Sequence, residues 1–331
     1  MQTKIVMTTL EPIDLKMQQI SVPAPMIGEV RVYTFEVNGE LILFDTGSFN
    51  DEAKEYLCRE VDLERLRYVF ITHWHPEHAG LAAFLEQRTS AEIIISRADA
   101  ERLKNITGLP EQITDVFVEL GFPLREALVQ SGVYRRLFEL SPVPDQYRLL
   151  EESQALLSRL GISWFYCPWH SGSDVVYQLQ NYAITGDTVL EQIFSCPSIE
   201  VKPGGGRFNN YASLCDAISL LKQIERCHLL PSHRQPVASI EAWIEFVVTK
   251  LTERTRALSP LLLSEASVYR VTREFFDSQL DEPFMFYMKA SEVVLSQDFL
   301  QAPELLSEAL DHNGLLDKFK HLLQSDWLAG S

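Results

Sequence analysis

The chain has 331 residues, 46% of them hydrophobic, and a formal net charge of −17. That length exceeds the roughly 250–300 residues that one core comfortably organises, so a large domain with an appendage or insertion is expected. Basic residues are scattered, Arg135-Arg136 being the longest basic run, which argues against a nucleic-acid surface and against anionic membranes.

No apolar run reaches the about 18 residues of a membrane span, and the start (MQTKIVMTTLEPIDLKM) has no apolar segment of signal-peptide length. Cys58, Cys167, Cys196, Cys215 and Cys227 form an odd set without a CxxC pair. A reducing, cytoplasmic setting is therefore expected rather than a disulfide framework. The expected partner is a small-molecule substrate, with no nucleic acid and no membrane; a homodimer is admitted.

In chain order, EVRVYTFEVNGELILFD (29–45) reads as two strands joined by the hairpin signal Asn38-Gly39. A short helix fits 51–60. YVFIT (68–72) reads as a buried strand, 78–87 as a helix and 93–96 as another strand. Residues 97–158 have helical periodicity broken by Pro110, Pro123, Pro142 and Pro144. Strands return at 162–166, 174–179 and 182–185. A helix over 211–223 and a strand over 227–230 follow, and from Ser239 onward the pattern is helical. Strands and helices alternating in two halves suggest a layered α/β fold. The expected division is a domain over 1–238, with a helical insertion at about 97–158, and a helical C-terminal extension over 239–331.

Three of the chain's eight histidines lie in HWHPEH (73–78), directly after YVFIT. In extended backbone, residues i and i+2 face the same way, so His73 and His75 can address one ion. If a helix begins near Glu77, that residue and His78 project from its first turn toward a second ion. Imidazole and carboxylate suit zinc, iron or manganese. His170 in PWHSGSD, Asp187 in TGDT and His233 in LPSH each follow a short apolar strand. Strand ends are where α/β folds place their sites.

The set HxHxxH, His170, Asp187 and His233 resembles the metallo-β-lactamase superfamily, and within it the glyoxalase-II-like hydrolases. LILFDTG (41–47) is similar to that family's first motif, and WHSGSD, TGDT, LPSH and NNYASL match later ones, over residues 29 to about 238. The resemblance implies a four-layer αβ/βα sandwich holding two divalent metal ions, zinc first, with iron or manganese as alternatives. It implies that His73, His75 and His170 hold one ion, that Glu77, His78 and His233 hold the other, and that Asp187 bridges them. Asp45 reads either as a turn former or as an acid orienting a ligand imidazole.

Three departures stand out. Glu77 occupies a position where the family usually has aspartate, and the extra methylene lengthens the arm by about 1.5 Å. Flavodiiron relatives also carry a glutamate in this motif, but at the position of His75. Arg234 follows His233 where glycine is common, and reads as a surface arginine or as a binder of a substrate carboxylate. The insertion is long for a connector and reads as a lid or as a packed decoration.

Among other residues, Tyr211 is a candidate to supply a phenol to a developing oxyanion. Trp74, Trp164 and Trp169 are candidate pocket walls or core residues. Trp243 and Phe246 are expected to pack, His228 to be a strand residue, and His312 and His321 to be exposed. The expected activity is hydrolysis of a small acyl compound, a thioester or lactone, by a metal-bound hydroxide, with Asp187 and Glu77 serving the reaction as well as the metals. The alternatives are a non-haem di-iron protein reacting with oxygen and a low-turnover binding or regulatory protein of the same fold.

Overall fold

The computed structural model describes residues 15–24, 28–105, 108–139, 142–192, 197–202, 204–264 and 266–323. Strand β1 (Leu15–Ala24) pairs antiparallel with β2 (Gly28–Val37), which pairs with β3 (Glu40–Phe44). The β2–β3 turn is Asn38-Gly39, both with positive φ (51° and 83°), as a tight twisted hairpin requires. After α1 (Asp51–Glu60), strand β4 (Leu66–Phe70) runs parallel to β3. The expected single helix over 78–87 is two, α2 (Pro76–Ala79) and α3 (Ala82–Arg88). They part at Gly80, where a Cβ would lie 2.4 Å from the Pro76 carbonyl oxygen and 2.5 Å from the Phe49 nitrogen. Only glycine lets the loop after β3 approach so closely.

Strand β5 (Glu92–Ile95) continues the sheet. The insertion follows as α4 (Arg97–Lys104), α5 (Leu109–Glu119), α6 (Leu124–Glu139), the two-residue strand β6 (Arg148–Leu149) and α7 (Gln154–Leu160). The first sheet has the order β1-β2-β3-β4-β5-β6.

Strands β7 (Ile162–Tyr166), β8 (Val175–Leu179), β9 (Tyr182–Gly186) and, after α8 (Asn210–Leu220), β10 (His228–Pro231) build the second sheet, in the order β10-β9-β8-β7. The remaining helices are α9 (Ile240–Leu262), α10 (Val268–Phe276), α11 (Pro283–Gln301), α12 (Pro303–His312) and α13 (Leu316–Leu323).

Alternation along the strands makes three apolar layers. Tyr33, Phe35, Phe44 and Phe70 of the first sheet meet Val175, Tyr177 and Ile184 of the second. Val30, Val32, Leu43 and Val69 face helices on one outer side, and Val176, Ala183 and Leu229 face helices on the other. This is the four-layer αβ/βα sandwich. The C-terminal helices share both outer layers: α11 places Phe286 and Val293 in one, and Leu295 and Phe299 in the other.

Within the middle layer, Phe44 stacks on Phe70 with ring centroids 5.3 Å apart and tilts against Tyr177 at the same distance. Two phenols tie the sheets at one end. The Tyr177 hydroxyl donates to the Ile71 carbonyl (2.8 Å), and the Tyr33 hydroxyl donates to the Pro231 carbonyl (2.6 Å). Ile71 immediately precedes Thr72-His73, and Pro231 precedes Ser232-His233. Desolvation makes leaving either carbonyl unpaired costly, so the middle layer fixes the strand ends that carry the histidines.

The insertion is anchored by a buried ion pair. Arg102 of α4 bonds Glu200, whose Oε2 also accepts from the Gly172 backbone N–H (2.9 Å). The side chains are 10% and 0% exposed. Breaking such a pair leaves a charge stranded out of water, which costs about 3–5 kcal/mol. Arg102→Met should therefore destabilise the chain by about 3–5 kcal/mol in urea denaturation, whereas the double variant Arg102→Met/Glu200→Leu should recover most of that loss.

Candidate metal centre

The predicted histidines and acids meet at the end of the sandwich where β4, β9 and β10 terminate. His73, His75 and His170 form one group, and Glu77, His78, Asp187 and His233 a second. The ligand atoms within each group lie within 4.8 Å of one another. His73 and His78 are fully buried; His75, His170 and Asp187 are 6–9% exposed.

Hydrogen bonds outside the cluster orient the rings of His78, His73, His233 and His75. The loop after β3 turns at Asp45, a non-glycine residue held at φ 57°. Its carboxylate accepts from the Thr72 N–H (2.8 Å) and the Thr72 hydroxyl (2.9 Å), and His78 Nδ1 lies 2.9 Å from Oδ2. Asp45 is thus the orienting acid as well as the turn residue. Because a carboxylate only accepts, His78 carries its proton on Nδ1 and presents Nε2 to the cluster.

The Thr72 hydroxyl, donating to Asp45, accepts from His73 Nδ1 (3.1 Å), so His73 likewise presents Nε2. His233 Nδ1 donates to the Glu29 carbonyl (2.9 Å), leaving its Nε2 inward. His75 points the other way, with Nδ1 in the cluster and Nε2 3.3 Å from the Ser198 hydroxyl. The His170 turn is held by Asp174, which accepts from the Ser171 N–H (2.8 Å) and the Ser171 hydroxyl (2.6 Å); burial pushes its carboxyl up to about 8. Gly186 is required beside Asp187, because a Cβ there would lie 2.8 Å from the Thr72 hydroxyl oxygen.

Electrostatics set the charge states of the free residues. Burial drives the His73 and His75 imidazoles well below their ordinary pKa, and neighbouring imidazoles push the same way. Burial also works against charge on His78, but Asp187 and Asp45 outweigh it and hold its pKa well above the usual range. For Asp187 burial favours the neutral form, yet His233 and His78 keep it well below the usual carboxylate range.

The donor set fits a metal. His75 Nδ1 lies 3.0 Å from His73 Nε2 and 3.2 Å from His170 Nε2. Neutral imidazoles cannot satisfy three converging lone pairs among themselves. A tetrahedral ion about 2.0–2.1 Å from each would space them by about 3.3 Å.

A cavity of about 910 Å³ opens onto both groups, lined on the ligand side by His75, Glu77, His170, Asp187 and His233. Its far wall is Phe284, Tyr287 and Met288 of α11. No described residue of the 97–158 insertion lines it, which favours the packed decoration over the lid: the wall comes from the C-terminal helices, and the insertion braces the His170 turn through Arg102 and Glu200. Tyr211 is also corrected. It is fully buried, its hydroxyl donates to the Ala302 carbonyl (3.0 Å), and it is absent from the cavity lining. Nor do Trp74, Trp164 or Trp169 wall the cavity; each belongs to a packed layer. Trp243 is buried and Phe246 half-buried, His228 lies in β10, and His312 and His321 are exposed helix residues.

The sequence reasoning missed Thr72, Asp174, Arg102 and Glu200. Asp174 carried a signal, standing inside WHSGSD. The ion pair carried none, because its halves are 98 residues apart.

A family profile described as the metallo-β-lactamase superfamily matches residues 27–215. The chain belongs to this superfamily. "Probable metallo-hydrolase YqjP" of Bacillus subtilis (strain 168) is 25% identical over 311 residues, covering 89% of this chain and 95% of that protein. A metallo-β-lactamase family protein from Thermus thermophilus superposes with a TM-score of 0.64 at 17% identity, covering 87% of this chain and 94% of its own. A β-lactamase domain protein from Burkholderia ambifaria gives 0.66 at 18% identity, covering 87% of each chain. Both share the fold. Among the described residues, no helix is long and apolar enough to cross a membrane.

The orienting role of Asp45 has a direct test. Asparagine tolerates positive φ but lacks the charge that favours a proton on His78 Nδ1. Asp45→Asn should therefore keep the fold and lower metal affinity by about 10–100-fold, read by competition with a chromogenic chelator.

Proposed function

We propose that this chain is a dinuclear metal-dependent hydrolase acting on a small acyl substrate, a thioester or a lactone. Asp187 is the observation that carries this. Its Oδ1 lies 3.5 Å from both His78 Nε2 and His233 Nε2, and its Oδ2 lies 3.7 Å from His170 Nε2. One carboxylate thus faces both ligand groups.

His73, His75 and His170 would hold one ion, Glu77, His78 and His233 the other, and Asp187 both, with zinc as the first candidate. Two bound divalent ions supply an acidified water at neutral pH and a Lewis acid for the acyl oxygen. The chain's own residues do the rest. Asp45 and Thr72 lock the rings of His78 and His73, and the buried setting of the His73, His75 and His170 rings limits competing water. The apolar side of the cavity, with Leu190, Phe284 and Met288, accommodates the body of a small molecule. An acidic chain without a basic stripe suits such a substrate better than a polynucleotide, and free Cys58, Cys167, Cys215 and Cys227 suit a reducing cytoplasm.

A second reading, a di-iron protein reacting with oxygen, is favoured by Glu77, whose carboxylate belongs to the second ligand group and adds an oxygen donor of the kind iron accepts. Elemental analysis of protein purified without added metal, followed by a thioester and lactone panel, separates the two. Zinc with turnover supports the hydrolase; iron with oxygen-dependent absorbance changes and no turnover excludes it.

His75→Ala and Asp187→Ala should each lose metal and hydrolysis together; full metal content in both would refute the ligand assignment. Glu77→Asp should retain two ions and keep or raise the hydrolytic rate, measured by steady-state kinetics. A collapse of rate in that variant would give the longer side chain a role of its own.

A further inference from the structure

The middle layer contains a charge, Arg31, that the described residues leave unanswered. On β2, Arg31 shares a face with Tyr33 and Phe35, while Val30 and Val32 face the opposite, outer layer. Arg31 therefore points between the sheets, at the end where the ligand groups stand. It is only 5% exposed, and its Nε and Nη1 are buried without a hydrogen-bond partner. Its guanidinium makes no ion pair with any described residue. An arginine stays charged even when buried, and an uncompensated buried cation is costly, so proteins normally pair it or leave it facing a ligand.

The surroundings show where it faces. Its backbone N–H donates to the Ser232 carbonyl (2.7 Å), and two residues earlier the Glu29 carbonyl accepts from His233 Nδ1 (2.9 Å). The start of β2 thus frames the His233 turn and sets Arg31 beside the second ligand group. Arg31 lines the same 910 Å³ cavity as Glu77, Asp187 and His233. Arg234, exposed and held at φ 61°, stands at its rim. The other charged lining residues outside the ligand groups are Glu29 and Glu191, and the chain as a whole carries −17. The chain's own net charge therefore gives an anion no long-range attraction, and apart from the metal ions the buried Arg31 is the cation that would admit one.

We propose that Arg31 is the floor of an oxyanion subsite in this cavity, so that the hydrolysed compound carries a carboxylate or phosphate group in addition to its scissile acyl bond. This deepens the hydrolase reading and rests on it for the metal-loaded cavity. A carboxylate is the better match of the two, because one guanidinium neutralises one charge and offers donors in a planar array, whereas Glu29 and Glu191 would oppose a second negative charge. The apolar wall from Leu190, Pro197, Phe284 and Met288 would take the aliphatic part between the two groups.

Calorimetry on zinc-loaded protein tests this without turnover. Succinate, glutarate and adipate are titrated beside butyrate, pentanoate and hexanoate, with 3-phosphonopropionate as the phosphate-like arm. At least one dicarboxylate should bind about tenfold or more tighter than the monocarboxylates, since a hydrogen bond to a charged group is worth that much. Arg31→Met should erase this advantage while leaving zinc content and monocarboxylate binding unchanged. Arg31→Gln, a polar alternative should methionine disturb folding, should do the same, and Arg31→Lys should keep part of the preference.

A stronger preference for the phosphonate than for any dicarboxylate would reassign the anion to a phosphate. No advantage for any dianion in the zinc-loaded wild type, or an advantage that survives Arg31→Met and vanishes in Arg234→Gly, would overturn the proposal. Phenyl thioacetate, which is neutral, keeps the two readings separable. If it and the thioester and lactone panel go unhydrolysed while the Arg31-dependent preference persists, the hydrolase falls and the subsite stands.

Discussion

Converging lone pairs are the constraint on which this structure depends. His73 Nε2 and His170 Nε2 at 3.0 and 3.2 Å from His75 Nδ1, with Asp187 facing His78 and His233 beside them, form an arrangement that packing alone does not stabilise. A neutral His75 has at most one Nδ1 proton to share between His73 and His170, and burial suppresses the further protonation that would otherwise relieve them. The cluster is tolerable because a cation can take up the lone pairs, and because the surrounding scaffold absorbs the cost of holding it.

That scaffold is built from ordinary contacts placed at one end of the sheets. Tyr33 and Tyr177 cross the middle layer to the carbonyls that precede His233 and Thr72-His73. Asp45, at a left-handed turn, collects Thr72 and His78 on one carboxylate. The β3 loop also reaches α2, where the Thr46 backbone N–H and hydroxyl both donate to the His78 carbonyl (2.7 and 2.8 Å). The ligands are therefore positioned by backbone segments that are themselves tied by hydrogen bonds, which is what preorganises a site.

Much of this was legible in the sequence, and what was legible has a common cause. Short apolar strands followed by His, Asp or Gly announce themselves locally, so HWHPEH, TGDT and LPSH pointed to strand ends, and Asn38-Gly39 pointed to its hairpin. Strand β1 was missed because it is an edge: Lys16–Gln19 are exposed, and Pro23 stands within it, a residue that speaks against a strand when only the sequence is read. The two residues of β6 are too few for any periodicity. The insertion could not be told apart as lid or packed decoration because length is a local property, whereas α11 reaches the site only through the packing of two outer layers. Tyr211 failed for a similar reason: its motif places it at the first turn of α8, and its hydroxyl is used by Ala302 of the C-terminal region. Arg31 had a faint signal, a charge in inward phase within VRVYTF, visible only once both faces of β2 are known to be buried.

The wall supplied by α11 has a consequence for the order in which the protein matures. Every ligand from His73 to His233 leaves the ribosome before Pro283–Gln301 does. A nascent chain therefore possesses all seven candidate ligands while the cavity is still open along one flank. The same late helix that completes the two outer layers is also the last element to close that flank of the cavity.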